Sequence, residues 1–235
     1  MKPGADIDPL ADLPWPTPKA PSGEVSAAIC GQCTHKLKPQ RGLKSWQRLV
    51  LSVILSLSVF GTLAWLTRGR ARFEGTFHNA LVGAAGWGIV LAAVMWAGLA
   101  RPPGRRVSTR IRLVMAVLLP VGFLMYVVHA APEWVSFAEF SHGARAAHAI
   151  GCSLVGLVFS AIVSGGVLLL WRGTDPLSPS LSGALVGLVG GVGGSLAIGV
   201  GCASQEGWHS SFAHGLGVIA FTLLGWGVGR RLLSP

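Results

Sequence analysis

The chain has 235 residues, of which 51% are hydrophobic and only 12% are charged. An ordinary soluble domain carries about twice that share of charged residues, so the composition excludes a typical soluble fold. The formal net charge of +10 is compatible with nucleic-acid binding or with a membrane protein, and the positions of the basic residues decide between the two.

Residues 1–47 are predicted to form a cytoplasmic N-terminal tail that binds a partner. The first 28 residues are rich in proline and mixed charge, which is typical of a disordered chain. Acidic and apolar side chains alternate there, a composition used by segments that fold on a partner. The side chains that we expect to contact the partner are Ile7, Leu10, Leu13, Trp15, Cys30, Cys33 and His35.

The last three of these residues form a Cys-x2-Cys pair with a histidine two residues after it. A thioredoxin-like redox role needs a βαβ setting, which a proline-broken tail does not offer. A structural zinc site needs four ligands, and Cys30, Cys33 and His35 supply three, so a partner would have to add the fourth. Bound zinc and a pair of thiols without metal both remain open for this segment.

Six apolar runs occupy the rest of the chain, and each holds about 18 residues or more, enough to cross a ~30 Å hydrocarbon core as a helix. The runs are Leu49–Leu66, Ala80–Ala100, Ile111–Ala131, Ala149–Trp171, Ser180–Gly201 and Phe212–Gly229. We therefore predict an all-α integral membrane protein, with a six-helix transmembrane bundle over residues 48–235 after a short, largely disordered tail. Arg112 is assigned to the connection before the third run, so the spans are taken to be free of charged side chains.

Spans without charge argue against an ion-coupled transporter, because such proteins keep ionisable residues at mid-membrane depth. No P-loop, Gly-x-Ser-x-Gly, kinase or paired-carboxylate motif occurs, so we expect no enzyme. A small-solute or metal transporter remains as an alternative function, and a structural subunit of a larger membrane complex is a third. The polar candidates for a transport path are Ser52, Ser56, Thr62, Ser160 and Ser164.

The basic residues predict the orientation in the membrane. With the N-terminus inside, 15 Lys and Arg side chains fall on the inner side and 4 on the outer side. The positive-inside rule therefore places both termini in the cytoplasm and argues against direct nucleic-acid binding. Fourteen arginines against five lysines indicate a GC-rich bacterial genome, so we expect a bacterial inner membrane. The basic run from His35 to Arg48 would then lie along anionic lipid or simply fix this topology.

The fifth connection, GVGCASQEGWHSSFAHGLG, faces the periplasm in this topology, as do six of the seven histidines. His148 is placed in the third connection, on the same side. The candidate redox or sensing residues are Cys152, Cys202, His148, His209 and His214. A disulfide, a soft metal such as zinc or copper, and a response of the histidines to external pH all fit this set. The plain alternative is a group of residues at the lipid headgroup level, and no Cys-x2-Cys or His-x3-His spacing favours a metal here.

Small residues recur every four positions along the fifth span. They are Gly183, Gly187, Gly191, Ser195 and Gly199. Such a ribbon lets another helix approach closely, either within the bundle or in a homo-oligomer. Gly225 and Gly229 repeat the pattern in the sixth span.

The C-terminal part of the chain combines an arginine-glycine turn, a proline before a glycine-rich helix, a cysteine, a connection with histidines and a final double arginine. These features are Arg172 and Gly173, Pro179, Cys202, His209 and His214, and Arg230 and Arg231. In them the chain resembles the NrsF-type six-span bacterial anti-sigma factors, over residues 145–233. The CarR-type myxobacterial regulators of light-induced carotenoid synthesis share this plan, so the resemblance extends to regulation of carotenoid biosynthesis.

The resemblance implies a negative regulator of transcription. In such a protein, a cytoplasmic N-terminal segment holds an extracytoplasmic-function sigma factor inactive at the membrane, and a signal sensed at or in the membrane releases it. Zinc-containing anti-sigma domains carry His-x3-Cys-x2-Cys, whereas Ser26 stands at the histidine position here. The tail therefore departs from that zinc pattern, and we expect it to fold on its partner.

Overall fold

The computed structural model describes residues 22–23, 43–67, 76–100, 107–130, 135–141, 143–175, 177–202, 204 and 206–234. The chain divides into two units, Met1–Gly42 and Leu43–Pro235. The side chains predicted to bind the partner lie outside the described residues; they are Ile7, Leu10, Leu13, Trp15, Cys30, Cys33 and His35. All helices discussed below belong to the second unit.

The described part of the second unit is helical. Its helices are α1 (Ser45–Thr67), α2 (Thr76–Met95), α3 (Thr109–Ala130), α4 (Phe137–Ser141), α5 (Ala144–Leu170), α6 (Pro179–Gly201), α7 (Gly207–Ser210) and α8 (Leu216–Leu232). A π-helical turn, Trp96–Ala100, extends α2, and another, Ser211–Gly215, joins α7 to α8. Among the described residues, six helical stretches are long and apolar enough to cross a membrane. The prediction of an all-α, six-span membrane protein is confirmed.

Most of the long helices begin before the apolar runs that predicted them. Helix α1 begins at Ser45, α2 at Thr76 and α5 at Ala144, before the predicted starts Leu49, Ala80 and Ala149. An apolar run marks only the part of a helix that lies in hydrocarbon, whereas backbone hydrogen bonding continues into the headgroup region. His148 therefore lies on α5, and its placement in a connection is wrong.

Helix α6 is the centre of the bundle. In the apolar, membrane-spanning part of α6, 83% of the residues are buried inside the protein, whereas the corresponding share in α1 is 11%. It packs against α8, α5, α1, α2 and α3. A helix surrounded in this way must present little side-chain volume, and the glycine-rich sequence of α6 meets that requirement.

The glycine ribbon of α6 is used inside the chain. A methyl group on Gly187 would overlap the carbonyl oxygen of Phe221, and one on Gly183 would overlap the carbonyl oxygen of Gly225, so α6 and α8 meet backbone to backbone. On another face, Gly190 lies against Ser164 of α5. Most of the ribbon that we considered for a homo-oligomer is therefore buried within one molecule.

The spans are not free of charge, and the assignment of Arg112 to a connection is wrong. Arg112 lies inside α3 with 3% of its side chain exposed, and it forms an ion pair at 3.3 Å with Asp175, which is 1% exposed. Its guanidinium also donates to the hydroxyls of Ser178 and Ser182 at the start of α6. The Asp175 carboxylate also accepts from the backbone N–H groups of Leu177 and Ser178, which lie in the turn just before α6. Each charge is thereby paired and hydrogen-bonded, as a buried ion requires.

Candidate functional site

Four sulfur and nitrogen donors come together at the end of the bundle away from the start of α1. His148 and Cys152 lie one turn apart on α5, so both side chains project from the same face of that helix. Cys202 directly follows α6, and His209 lies in α7, the next helix. We call His148, Cys152, Cys202 and His209 the Cys/His cluster, and we call this part of the molecule the cluster end.

The donor atoms of the cluster all lie within 4.8 Å of one another. The sulfur of Cys202 is 3.2 Å from Nε2 of His209, and the sulfur of Cys152 is 3.8 Å from Nε2 of His148. The two imidazole rings stack with their centroids 5.1 Å apart. His209 is buried whereas His148 is exposed, so the cluster has one closed side and one open side.

These separations are close to those of a tetrahedral metal site. Zinc bonds of about 2.0–2.3 Å to nitrogen and sulfur place the ligand atoms of a tetrahedron about 3.3–3.8 Å apart. Even the longest separation in the cluster would need to shorten by only about 1–1.5 Å to surround such an ion. Two thiols and two imidazoles also form a complete set of four ligands, and this set does not depend on a partner chain.

The two described cysteines are free thiols. A disulfide needs a sulfur–sulfur distance of about 2.05 Å, so the two sulfur atoms would have to approach each other before it could form. A hydrogen bond with Cys152, together with burial, raises the pKa of the Cys202 thiol above its ordinary value. Cys202 is therefore protonated at neutral pH until a metal ion or an oxidant displaces the proton.

The fifth predicted sensing residue, His214, lies behind the cluster. Its ring is buried, with Nδ1 3.2 Å from the carbonyl oxygen of Ser195 and its centroid 5.9 Å from that of His209. It therefore supports His209 from the bundle side and is not one of the four grouped donors. Of the other histidines predicted on this side, His129 is exposed at the end of α3. The side chains of His78 and His142 lie outside the description.

An aromatic group beside the cluster was not predicted. Phe137 of α4 packs edge to face on Trp208 at 5.2 Å, and Phe140 stacks on Phe212 at 5.9 Å. The indole N–H of Trp208 donates to the carbonyl oxygen of Val135 at 3.1 Å. Because Trp208 directly precedes His209, these contacts fix the short helix that carries that ligand. The aromatic spacing in WVSFAEF, before α5, was the available signal in the sequence.

The described side chains thus form a six-span bundle with a Cys/His cluster at one end. A family described as "NrsF: Negative regulator of sigma F" matches residues 34–234. The chain belongs to the NrsF family. The match is wider than the resemblance over residues 145–233, and it includes the whole Cys/His cluster. No curated protein and no solved structure is significantly similar to the chain.

The NrsF match includes only one of the two cysteine pairs of the chain. Cys152 and Cys202 fall inside it, whereas Cys30 and Cys33 precede its first residue, Thr34. The zinc site considered for the tail therefore stays a prediction, separate from the family assignment.

Proposed function

We propose that this NrsF-family protein is a membrane-bound anti-sigma factor that holds an extracytoplasmic-function sigma factor inactive. The observation that carries the proposal is the family match over residues 34–234, which includes all six membrane-spanning stretches. The tail, residues 1–47, binds the sigma factor at the cytoplasmic face of the inner membrane. A signal received by the bundle releases it, so the protein represses transcription without contacting DNA.

The positions of the exposed arginines support this orientation. Arg110, Arg172, Arg230 and Arg231 are exposed at the end of the bundle where α1 begins, and Arg145 lies near the cluster end. The larger number of basic side chains faces the cytoplasm and its anionic lipid. In this orientation the cluster end faces the periplasm.

The Cys/His cluster is the sensing site in this proposal, and a soft divalent metal ion such as zinc is its ligand. Two thiolates and two imidazoles form a donor set that such ions prefer over magnesium or calcium. Binding would draw α5, the end of α6 and α7 together, because each of the three supplies ligands. A disulfide would connect only α5 with the end of α6. Protonation of both histidines would place two positive charges side by side and push His148 and His209 apart.

The transporter alternative finds less support among the described residues. Ser52 and Ser56 donate to carbonyl oxygens of their own helix, at 2.7 and 2.9 Å. Ser160 and Ser164 are buried against glycines of α6. A cavity of about 340 Å³ beside Trp87 and Tyr126 has an apolar lining and lies between α2 and α3, away from the cluster. These serines therefore serve helix packing.

A pull-down in mild detergent tests the anti-sigma function. The full-length chain should retain a sigma factor that mass spectrometry identifies, and a chain lacking residues 1–42 should retain none. This deletion keeps Leu43 to Arg48, which pack with the second unit. Both chains should insert into the membrane equally.

A substitution within the tail separates the loss of contacts from the loss of the segment. Replacing Leu10, Leu13 and Trp15 by serine should abolish retention, whereas the matched control with Thr17, Ser22 and Ser26 replaced by alanine should retain the sigma factor. Retention by the truncated chain would contradict binding through the tail. If no sigma factor is retained and metal crosses reconstituted vesicles, the transporter is supported. Regulation of carotenoid biosynthesis is tested separately, by the genes that the retained sigma factor controls.

A further inference from the structure

One guanidinium joins the last residues before α1 to the last turn of α5. Nε of Arg48 donates to the carbonyl oxygen of Leu43 at 3.0 Å, and its NH1 nitrogen donates to the carbonyl oxygen of Leu170 at 2.8 Å. Leu43 is the first described residue after residues 24–42, and Leu170 ends α5. Arg48 therefore contacts both the chain that emerges from the tail and the helix that carries His148 and Cys152.

A second contact beside Arg48 fixes the same two helices. The indole N–H of Trp171 donates to the hydroxyl of Ser52 at 3.1 Å, and that hydroxyl donates to the carbonyl oxygen of Arg48 at 2.7 Å. Ser52 and Trp171 are almost completely buried, so water does not compete for these bonds. We call Arg48, Ser52, Leu170 and Trp171 the tail clamp.

The terminal carbonyl groups and the dipole at the C-terminal end of α5 explain why Arg48 binds there. The last four carbonyl groups of a helix lack partners within the helix, and the negative end of the helix dipole favours a cation there. The Leu170 carbonyl is one of these groups. Arg48 therefore occupies a position where its charge and its donor geometry are both used.

The turn after α5 is also held from two other sides. Arg112 of α3 binds Asp175 in this turn, and backbone N–H groups of Gly173 and Asp175 donate to the carbonyl oxygens of Leu232 and Leu233, at 2.9 and 3.0 Å. The turn is thus fixed to α3 and to the end of α8. The tail clamp attaches α1 to this same turn.

We propose that Arg48 is a positioning residue that transmits displacement of α5 to the tail. This inference rests on the proposed sensing role of the cluster. His148 and Cys152 lie in the first turns of α5, and Leu170 lies about 27 Å beyond Cys152 along the same rigid helix. Contraction of the cluster around a metal ion shifts α5, the Leu170 carbonyl moves with it, and Arg48 carries that movement to Leu43, where the tail begins.

Hydrogen–deuterium exchange of the full chain in lipid nanodiscs tests this inference. A background with Cys30→Ser and Cys33→Ser leaves no thiol in the tail. In that background, Arg48→Gln should speed exchange of the amides in residues 43–50 about tenfold, the factor that loss of one charge-assisted hydrogen bond supports. Arg172→Gln is the matched control, since it removes an exposed arginine of the same end that no tail-clamp contact uses. Arg48→Lys, which keeps the charge and one donor, should restore part of the protection.

Zinc alone, added to the same samples, is the second readout. It should change exchange in residues 43–50 in the parent and in Arg172→Gln but not in Arg48→Gln, while all three remain folded and bind zinc. Equal exchange for the two glutamine variants without metal, or an equal zinc response in both, would overturn the role of Arg48. Zinc binding by the parent with no change in residues 43–50 would also overturn it, and would leave the sensing site standing. If the parent binds no zinc, the sensing proposal fails, and exchange without metal alone decides whether Arg48 positions the tail.

Discussion

The two ends of α5 and α6 are built from different chemistry. At the cluster end, the contacts are between thiols and imidazoles, at 3.2 and 3.8 Å, and one histidine is exposed. At the opposite end, where α1 begins and which we call the tail end, a buried ion pair and charge-assisted hydrogen bonds fix the turn between the same two helices. A thiol is a weak donor, whereas hydrogen bonds to charged groups are roughly twice as strong as neutral ones.

In the function proposed above, this difference gives the two ends separate tasks. An end whose contacts are weak can rearrange around a ligand at little cost in free energy. Most of the free energy of ligand binding can then drive movement of the helices. An end whose contacts are strong keeps its geometry and moves as a unit. The arrangement therefore suits a protein that receives a signal at one end and presents a partner-binding segment at the other.

The largest expected effect comes from breaking the ion pair at the tail end. Arg112→Met leaves the buried Asp175 carboxylate without its cation, which typically costs about 3–5 kcal/mol. The free energy of unfolding in mixed micelles should fall by that amount. Arg110→Met is the control, because Arg110 is exposed on the same helix and its loss should cost less than about 1 kcal/mol. Equal losses for the two variants would show that the ion pair does not hold the tail end together.

A smaller effect, on binding alone, is expected at the cluster end. In the background with Cys30→Ser and Cys33→Ser, Cys152→Ser should weaken zinc binding about 100-fold, because it removes one of four ligands. The free energy of unfolding without metal should change by less than about 1 kcal/mol, because the thiol makes only weak contacts. Calorimetric titration measures the first and chemical unfolding the second. Ser153→Ala, at the neighbouring position of α5, should leave the zinc affinity unchanged. A large loss of stability in Cys152→Ser would remove the contrast between the two ends.

The sequence predicts these two ends to different degrees. Spans can be predicted from the sequence because the thickness of the hydrocarbon core sets one length for every helix. The basic residues predict a side of the membrane for each connection, and that prediction groups Cys152 and Cys202 with the histidines. The four-ligand geometry could not be predicted, because it depends on the unpredicted fold of α7 and on α5 beginning early enough to include His148.

Arg112 shows the opposite limit of sequence analysis. Its partner Asp175 is 63 positions away in the sequence, and the apolar-run criterion assigns a charge at the edge of a span to the adjacent connection. Only the packing of α3 against the turn before α6 makes this position buried. A charged residue just inside an apolar run is therefore a reason to search the other connections of the same side for an opposite charge.

The smallest expected effect, about tenfold for each pH unit and each proton, is the pH dependence of zinc binding at the cluster. The pKa of Cys202 is raised by its hydrogen bond with Cys152 and by burial, so the thiol is protonated at neutral pH and must lose its proton to bind zinc. The apparent affinity should therefore rise with pH, by about tenfold per pH unit for each proton released. Titrations between about pH 6 and pH 8, in the background without tail cysteines, measure this slope. Cys202→Ser removes one titrating thiol, so its slope should be smaller by about one proton. An affinity independent of pH in the parent would mean that zinc binds without displacing the thiol proton, and the cluster would then not be a thiolate site.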